Sequence, residues 1–260
     1  MTTKTLPLAR SARVSRGWTL TELLIVAAIL AVLAGVSVPV WKAFRQNAMK
    51  VDSARRMANL ATAFTGFASE NGGLMPWEDA VGGNSWASAA KPENKDVWYN
   101  ALPTLMNAPS VGALATDPGT FYNDAYPLYF KGAKYPDDDK KLSKPFFAVA
   151  MNSRIQRRGE DGQKKQGSIA HLSVPARTVI FFERGLPKED KTMGALGGYD
   201  GTPKGNAANF VARYNQKGLL IFADGHAELV KASEIITSSG MVLVPQEAFI
   251  WTPDPAENPN

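Results

Sequence analysis

The hydrophobic residues of this chain follow two different patterns in its first third. Residues 23–41 (LLIVAAILAVLAGVSVPVW) contain no charged side chain. Further on, apolar residues recur at spacings of three and four, which predicts one buried face of an amphipathic helix, formed by Met57, Leu60, Phe64 and Phe67. Asn71-Gly72-Gly73 then supplies a stop signal. The two patterns together predict one helix from about residue 19 to about residue 69.

The pattern changes to short β-branched and aromatic runs after Pro145. Four such runs have the length of a strand and are bounded by turn residues, at 146–151, 178–183, 210–214 and 218–223. The segment between helix and strands, residues 74–145, is rich in Gly, Pro and Asn and predicts loops with short helical or extended pieces. We therefore expect an α+β fold, with a long N-terminal helix packed on a C-terminal antiparallel sheet.

The last two strands are joined by Asp224-Gly225, the strongest short hairpin signal in the chain. A two-residue type I′ turn needs positive φ at both residues, which Asp and Gly tolerate. This turn predicts that Phe222 lies opposite Ala227 and Leu220 opposite Leu229, all on one core-facing side. His226 and Glu228 would then lie on the solvated face.

Composition and charge exclude several functions. The chain has 29 basic and 24 acidic residues and no cysteine, so thiol catalysis and cysteine-bound metals are excluded. Four basic residues lie in residues 1–17 without any acid, which leaves 25 (29 − 4) against 24 elsewhere and no basic stripe. We expect no nucleic-acid partner. Asp137-Asp138-Asp139 could attract calcium, but Lys140-Lys141 follow, so a solvated loop is favoured and no metal is expected.

The uncharged run predicts a transmembrane helix, because about 20 apolar residues span the hydrocarbon core. The basic leader places the N-terminus in the cytoplasm, so the prediction is a single-pass inner-membrane protein with a periplasmic or extracellular C-terminal domain. Glu22 at the start of the run is costly there unless a cation pairs with it. Cleavage after Gly17 would supply that cation as the new α-amino group of Trp18.

Residues 16–26 (RGWTLTELLIV) resemble the class III signal of type IV prepilins and type II secretion pseudopilins. The resemblance implies that a prepilin peptidase cuts after Gly17 and N-methylates Trp18, and that Glu22 pairs with a neighbouring subunit's amine during fibre assembly. Trp18 and Thr21 replace the usual Phe and Ile. Pro39 removes a helical bond to Gly35, and these two residues predict a weakened or broken helix; the family also has a proline at this place.

The C-terminal part resembles a group of prepilin-type proteins abundant in planctomycetes and verrucomicrobia. Tyr214 and Asp224-Gly225 stand at the spacing of that group's H-x9-D-G element, with Tyr214 in place of the histidine. Three other segments look like the group's matching segments: residues 58–64 (ANLATAF), 150–153 (AMNS) and 175–183 (PARTVIFFE).

Enzymatic patterns are lacking, since His171 and His226 belong to no metal or nucleophile motif. We therefore expect no catalytic residue, no cofactor and no enzyme, but a pilin-like or pseudopilin-like fibre subunit that meets the peptidase, other subunits and the inner membrane. The alternative is a membrane-anchored extracytoplasmic binding domain that never polymerises. The predicted organisation is a leader (1–17), a membrane or fibre-core half-helix (18–41), an amphipathic half-helix (42–73) and an α/β head (74–260).

Overall fold

The computed structural model describes residues 18–158 and 164–258. Within these ranges, the backbone but not the side-chain environment is described at residues 36, 37, 39, 42, 138, 157, 158, 164 and 193. The predicted leader, residues 1–17, lies outside the described residues. The chain divides into two compact units between Arg45 and Gln46.

The predicted long helix is confirmed: α1 extends over Leu20–Glu70. It ends because the next residues turn the chain, with Gly72 and Gly73 both at positive φ (63° and 85°). The amide of Gly73 donates to the carbonyl of Ala68 at 2.7 Å, which caps the last turn as helix-ending glycines commonly do. In the second half of α1, the predicted stripe is buried: Met57, Leu60, Phe64 and Phe67 are at most 6% exposed.

The prediction that residues 23–41 form a transmembrane helix is wrong for the structure as described. Among the described residues, no helix is both long enough and apolar enough to cross a membrane. A span needs about 20 apolar residues to cover roughly 30 Å. The inner-membrane localisation and single-pass topology are overturned with it, as is the anchor of the alternative binding domain.

Short helices fill the segment between α1 and the sheet, as the turn-rich sequence predicts. The α-helices there are α2 (Trp86–Ala89), α3 (Trp98–Leu105), α4 (Pro118–Phe121) and α5 (Asp138–Ser143). Single 3-10 turns occur at Pro92–Asn94, Gly112–Thr116, Ile169–His171, Lys191–Met193, Ala207–Asn209, Ala232–Glu234 and Pro255–Glu257. Aromatic side chains of the short α-helices pack into the core beside α1. Trp98 of α3, for example, is fully buried against Phe181, with ring centroids 5.2 Å apart.

A five-stranded sheet completes an α+β fold. Its strands are β1 (Val149–Asn152), β4 (Val179–Glu183), β5 (Lys204–Gly205), β6 (Lys217–Phe222) and β7 (Ala227–Lys231). Their order across the sheet is β5-β1-β4-β6-β7. A separate two-stranded ribbon is formed by β2 (Arg157–Arg158) and β3 (Lys164–Lys165). All pairs of the large sheet are antiparallel except β1 with β5, which are parallel.

The central strands β1, β4 and β6 are buried on both faces of the sheet. Alternate residues of β6 contribute to two separate clusters: Leu219 and Ile221 join the one that contains α1, and Leu220 and Phe222 join one on the opposite face with Trp251. A strand buried on both sides needs apolar residues at every position, which explains the continuous LLIF run. The prediction that Leu220, Phe222, Ala227 and Leu229 share one face is therefore wrong, because Ala227 and Leu229 pack on the cluster that contains α1.

Two sequence predictions about strands need correction. Residues 210–214 form no strand; Phe210 and Val211 make isolated bridges, and the chain then turns so that the Arg213 side chain enters the interior. The β6–β7 hairpin is present with its register displaced by one residue, since Ile221 pairs with Ala227 and Leu219 with Leu229. The cause is a longer turn, which is described with the candidate site.

Candidate functional site

The most unusual surface of the molecule is the helical segment before Arg45. Every side chain described in residues 18–45 is exposed. Fourteen of them are large and hydrophobic: Trp18, Leu20, Leu23, Leu24, Ile25, Val26, Ile29, Leu30, Val32, Leu33, Val38, Val40, Trp41 and Phe44. Monomeric proteins rarely expose apolar patches of more than a few hundred Å², and larger patches mark interaction surfaces. We call residues 18–45 the exposed segment.

Glu22 belongs to a capping box at the start of α1. The Thr19 amide and hydroxyl donate to Glu22 Oε2 at 2.8 and 2.9 Å, and the Glu22 amide donates to Thr19 Oγ1 at 3.2 Å. The sequence Thr19-x-x-Glu22 is the signature of this motif, which satisfies two amides that the helix itself leaves unbonded. Thr19 was not among the predicted site residues, although this signature was readable in the sequence.

The Glu22 carboxylate is exposed and keeps binding capacity. Both bonds from Thr19 go to Oε2, so Oε1 accepts no hydrogen bond from any described residue. The Thr19 amide, followed by the Thr19 hydroxyl, lowers the pKa of Glu22 below its usual value, because both donors favour the charged form. Glu22 is thus an ionised carboxylate with one free oxygen, close to where the apolar run begins.

Not all of the other predicted site residues of this region lie among the described residues. Gly17 of the predicted cleavage site lies outside the described residues, whereas Trp18 is described and is 71% exposed. α1 passes without interruption through Gly35 and Pro39, so no helix break occurs at either position. A Cβ added at Gly35 would meet no atom within 4 Å, and no packing within the chain requires a glycine there. A loosening of the helix on assembly stays a prediction.

Tyr214, which stands where the H-x9-D-G element has histidine, is a structural contact in this chain. Its hydroxyl is within 2.6 Å of Ser53 Oγ, which joins the buried half of α1 to the segment before β6. Burial raises the pKa of the Tyr214 phenol, so it stays neutral. A Cβ at Gly132 would lie 2.8 Å from the same hydroxyl, so Tyr214 leaves no room for a side chain at that position.

Arg213, directly before Tyr214, is held by two buried carboxylates. Its Nε and Nη2 donate to the two oxygens of Glu189 at 2.6 and 2.8 Å, and its Nη1 lies 3.2 Å from Glu183 Oε1. All three side chains are at most 2% exposed. Burial raises the pKa of Glu183 to about 7 although Arg213 opposes the shift. No local sequence pattern marks this group, because its members come from three separate segments.

Asp224-Gly225 forms the turn between β6 and β7, but not a type I′ turn. The amide of Gly225 donates to the carbonyl of Phe222 and the amide of Phe222 to the carbonyl of His226, both at 3.0 Å. Only Gly225 of the pair has positive φ, at 90°. This is a type I turn followed by a glycine bulge, the common longer hairpin loop, and it displaces the register by one residue.

The side chains of this turn make contacts that stabilise its conformation. Asp224 Oδ1 accepts from the His226 amide at 3.1 Å and lies 2.6 Å from His226 Nδ1. The His226 ring stacks on Phe222, with centroids 4.3 Å apart. In the part of the chain that the structure describes, no group of three or more His, Asp or Glu residues is arranged to hold a metal ion. At the other acidic cluster, Asp137 pairs with Lys188.

Comparison with known proteins identifies no relative: no family model matches the chain, and neither a curated protein nor a solved structure is significantly similar to it. Function must therefore be inferred from residues. The exposed segment with Glu22 is the strongest candidate, because it is the largest feature that packing within the chain leaves unexplained.

Proposed function

We propose that this chain is a structural subunit of a fibre of the type IV pilus or type II pseudopilus class, in which copies associate through the exposed segment. The observation that carries this proposal is the row of exposed large hydrophobic side chains on the first 26 residues of α1, from Leu20 to Arg45. A helix that is hydrophobic all round is normally buried. Helix-to-helix packing between copies would bury it.

The pilin-like class is favoured over other assemblies by the order of features in the sequence. A basic leader, Gly17, Glu22 and an uninterrupted apolar run follow one another as they do in prepilins. A prepilin peptidase would cut after Gly17 and methylate the new terminus at Trp18. The long helix followed by an α+β domain is compatible with the architecture expected of such a subunit.

Glu22 supplies the specific contact in this proposal. When helices pack, its carboxylate leaves water, and an unpaired buried charge costs several kcal/mol, of order 3–5. Oε1 is the oxygen that Thr19 leaves unbonded. A neighbouring subunit's terminal amine at Oε1 would pair the charge without opening the capping box.

Processing is the first test. Native protein should begin at Trp18 with 243 residues (260 − 17) and carry one added methyl group, as intact mass would report. Gly17→Val should retain the leader, because the peptidase needs a small residue at the cut. The matched control is Ser15→Val, two positions away, which should still be cut. A native N-terminus at Met1 would contradict the proposal.

Assembly is the second test, and it must separate the charge of Glu22 from its capping role. Glu22→Gln keeps an oxygen for the Thr19 donors but removes the charge, so this variant should be processed and folded yet should not enter fibres. Thr19→Ala removes the cap at a cost of about 1 kcal/mol but keeps the carboxylate, so it should still assemble. Shearing and blotting measure both. If Glu22→Gln assembles normally while Thr19→Ala does not, the capping box matters and the intersubunit ion pair is rejected.

A further inference from the structure

A polar cleft of about 950 Å³ lies at one end of the sheet. It is independent of the proposed fibre contact, since it belongs entirely to the unit that begins at Gln46. The charged and amide side chains that line it include Arg154, Arg184, Asp200, Lys204, Asn206 and Asn209. Glu257 from the C-terminal 3-10 turn also lines it.

The sheet topology explains why these residues meet. β1 and β5 are parallel, with Asn152 opposite Gly205, so Arg154 and Asn206 leave the sheet at the same end. The amide of Ser153 donates to the carbonyl of Gly205 at 2.8 Å and holds the two segments together. A Cβ at Gly205 would lie 2.2 Å from Arg184 Nη1 and 2.5 Å from Asn209 Oδ1. Only glycine leaves the arginine and the amide in place.

Two of the three cations in the cleft are already neutralised. Arg184 donates to Asp200 Oδ1 from Nε and Nη2 at 3.1 and 2.6 Å, and its Nη1 donates to the Lys204 carbonyl. Lys204 Nζ lies 2.6 Å from Asp79 Oδ2. Arg184 and Lys204 are therefore each paired with a carboxylate and do not supply a free charge.

Arg154 is the exception. Its Nη1 atom is buried and has no hydrogen-bond partner among residues 18–158 and 164–258. Of the cations that line the cleft, it alone forms no ion pair within those ranges. An arginine nitrogen left without an acceptor is a cost that folded proteins normally avoid. A guanidinium is also the group best suited to hold a carboxylate through two parallel bonds.

We propose that this cleft binds a sugar acid, with the carboxylate on Arg154 and the hydroxyls on the neighbouring amide and carboxylate groups. The Asn206 Nδ2 donates to no described residue, so it can donate to a hydroxyl oxygen, while Glu257 can accept from a hydroxyl. A phosphate dianion fits less well, because Arg154 is the one cleft cation without an ion pair to a described residue and Glu257 adds a negative charge to the same wall.

The proposal is tested by calorimetric titration of the full chain with D-galacturonate, galactose, acetate and inorganic phosphate. Galacturonate should bind at least tenfold more tightly than each of the other three. Galactose lacks the carboxylate, and acetate lacks the hydroxyls. The phosphate dianion carries a second negative charge, which Arg154 alone does not balance. Equal affinity for galacturonate and any one of them, or no binding at all, would overturn the assignment.

Variants locate the contact. Arg154→Gln should weaken galacturonate binding at least tenfold, and Arg154→Lys should restore part of it as a point charge. Lys217→Gln, an exposed cation of β6 outside the cleft, should leave the affinity unchanged. The melting temperature of Arg154→Gln should not fall, because no bond within the described chain is lost. Unchanged affinity in a folded Arg154→Gln protein would refute the site.

Discussion

The two halves of α1 have the same secondary structure and opposite environments. Before Arg45, every described side chain is exposed, although most of them are apolar. Further along the same helix, Met57, Leu60 and Phe64 are at most 1% exposed. Hydrophobicity alone therefore does not decide burial within one chain. A helical face is buried only where other side chains pack on it, as they do on the second half of α1.

The contrast extends to charged groups. In the exposed segment, Glu22 is solvated and keeps a free oxygen, which suits a group that must find a partner outside the chain. In the second unit, Arg213 and its carboxylate partners are sealed in the interior with complete hydrogen bonding. Removing one member of such a buried group is destabilising by about 3–5 kcal/mol. Under the proposed function the first region serves association, whereas the second region is held together by packing within the chain.

The sharpest test of this contrast pairs one substitution in each half of α1. Phe64→Ala should lower the free energy of unfolding by about 3–5 kcal/mol, because it empties a core position where the ring meets Phe181 at a centroid distance of 5.8 Å. Leu30→Ala should change it by less than about 0.5 kcal/mol, since Leu30 is exposed. Urea unfolding under conditions where the chain is monomeric measures both.

The same pair should behave in the opposite way during assembly. Leu30→Ala should reduce the amount of sheared fibre, whereas Phe64→Ala should act only through loss of folded protein. If Leu30→Ala destabilises the monomer as much as Phe64→Ala does, the first half of α1 has a partner within the chain, and the comparison fails.

A second, smaller effect is expected from the pH dependence of Glu183. Its pKa is raised to about 7 in the folded state against a usual value of 4.5, so the folded chain binds the proton more tightly than the unfolded chain. Its contribution to stability is therefore complete below pH 4.5 and is lost as the pH rises through 7. The loss is about 3 kcal/mol at 1.36 kcal/mol per unit.

Glu183→Gln isolates this titration. The amide keeps an oxygen for the Leu219 amide, which donates to Glu183 Oε2 at 3.0 Å, but it does not titrate. Unfolding free energies of both proteins, measured from pH 4.5 to pH 8, should show the wild type losing stability relative to the variant as the pH rises. Other titrating groups are shared and cancel in the difference. A constant difference across this range would mean that Glu183 is ionised throughout.

Sequence patterns predicted the parts of the fold that depend on local periodicity. The bounds of α1 were predicted to within one residue at each end, because its apolar spacing and the glycine pair that ends it are local signals. Strands β1, β4 and β6 overlap three of the four predicted runs. The fourth run, residues 210–214, has the composition of a strand, but Arg213 is drawn inward by Glu183 and Glu189, and no local pattern reveals such distant partners.

The two candidate sites differ in how far the sequence predicts them. Glu22 was identified by its position before an apolar run. Its Thr19 cap was overlooked, although the spacing shows it. The cleft at Arg154 could not be predicted, because it depends on the parallel pairing of a two-residue strand with β1 and on the ion pairs that neutralise the neighbouring cations. The membrane span was predicted from hydropathy over residues 23–41 and is not supported by the helix as described.

The smallest expected effect lies in the β6–β7 turn, where the glycine and the aspartate have separate roles. Gly225 has φ of 90°, so Gly225→Val should cost about 1–2 kcal/mol, and the new Cβ would also approach Thr65 Cγ2 at 3.1 Å. Asp224→Asn should change stability by less than about 0.5 kcal/mol, because the amide oxygen can still accept from the His226 amide. Thermal unfolding of the full chain measures both variants. Since the turn joins two strands of the buried sheet, Gly225→Val should also be cut faster by protease at the hairpin.

A Gly225→Val protein as stable as the wild type would show that the bulge is not required. A stable Asp224→Asn protein that no longer assembles would instead make Asp224 a contact between subunits, and the second unit would then share in the association that we assign to the exposed segment alone.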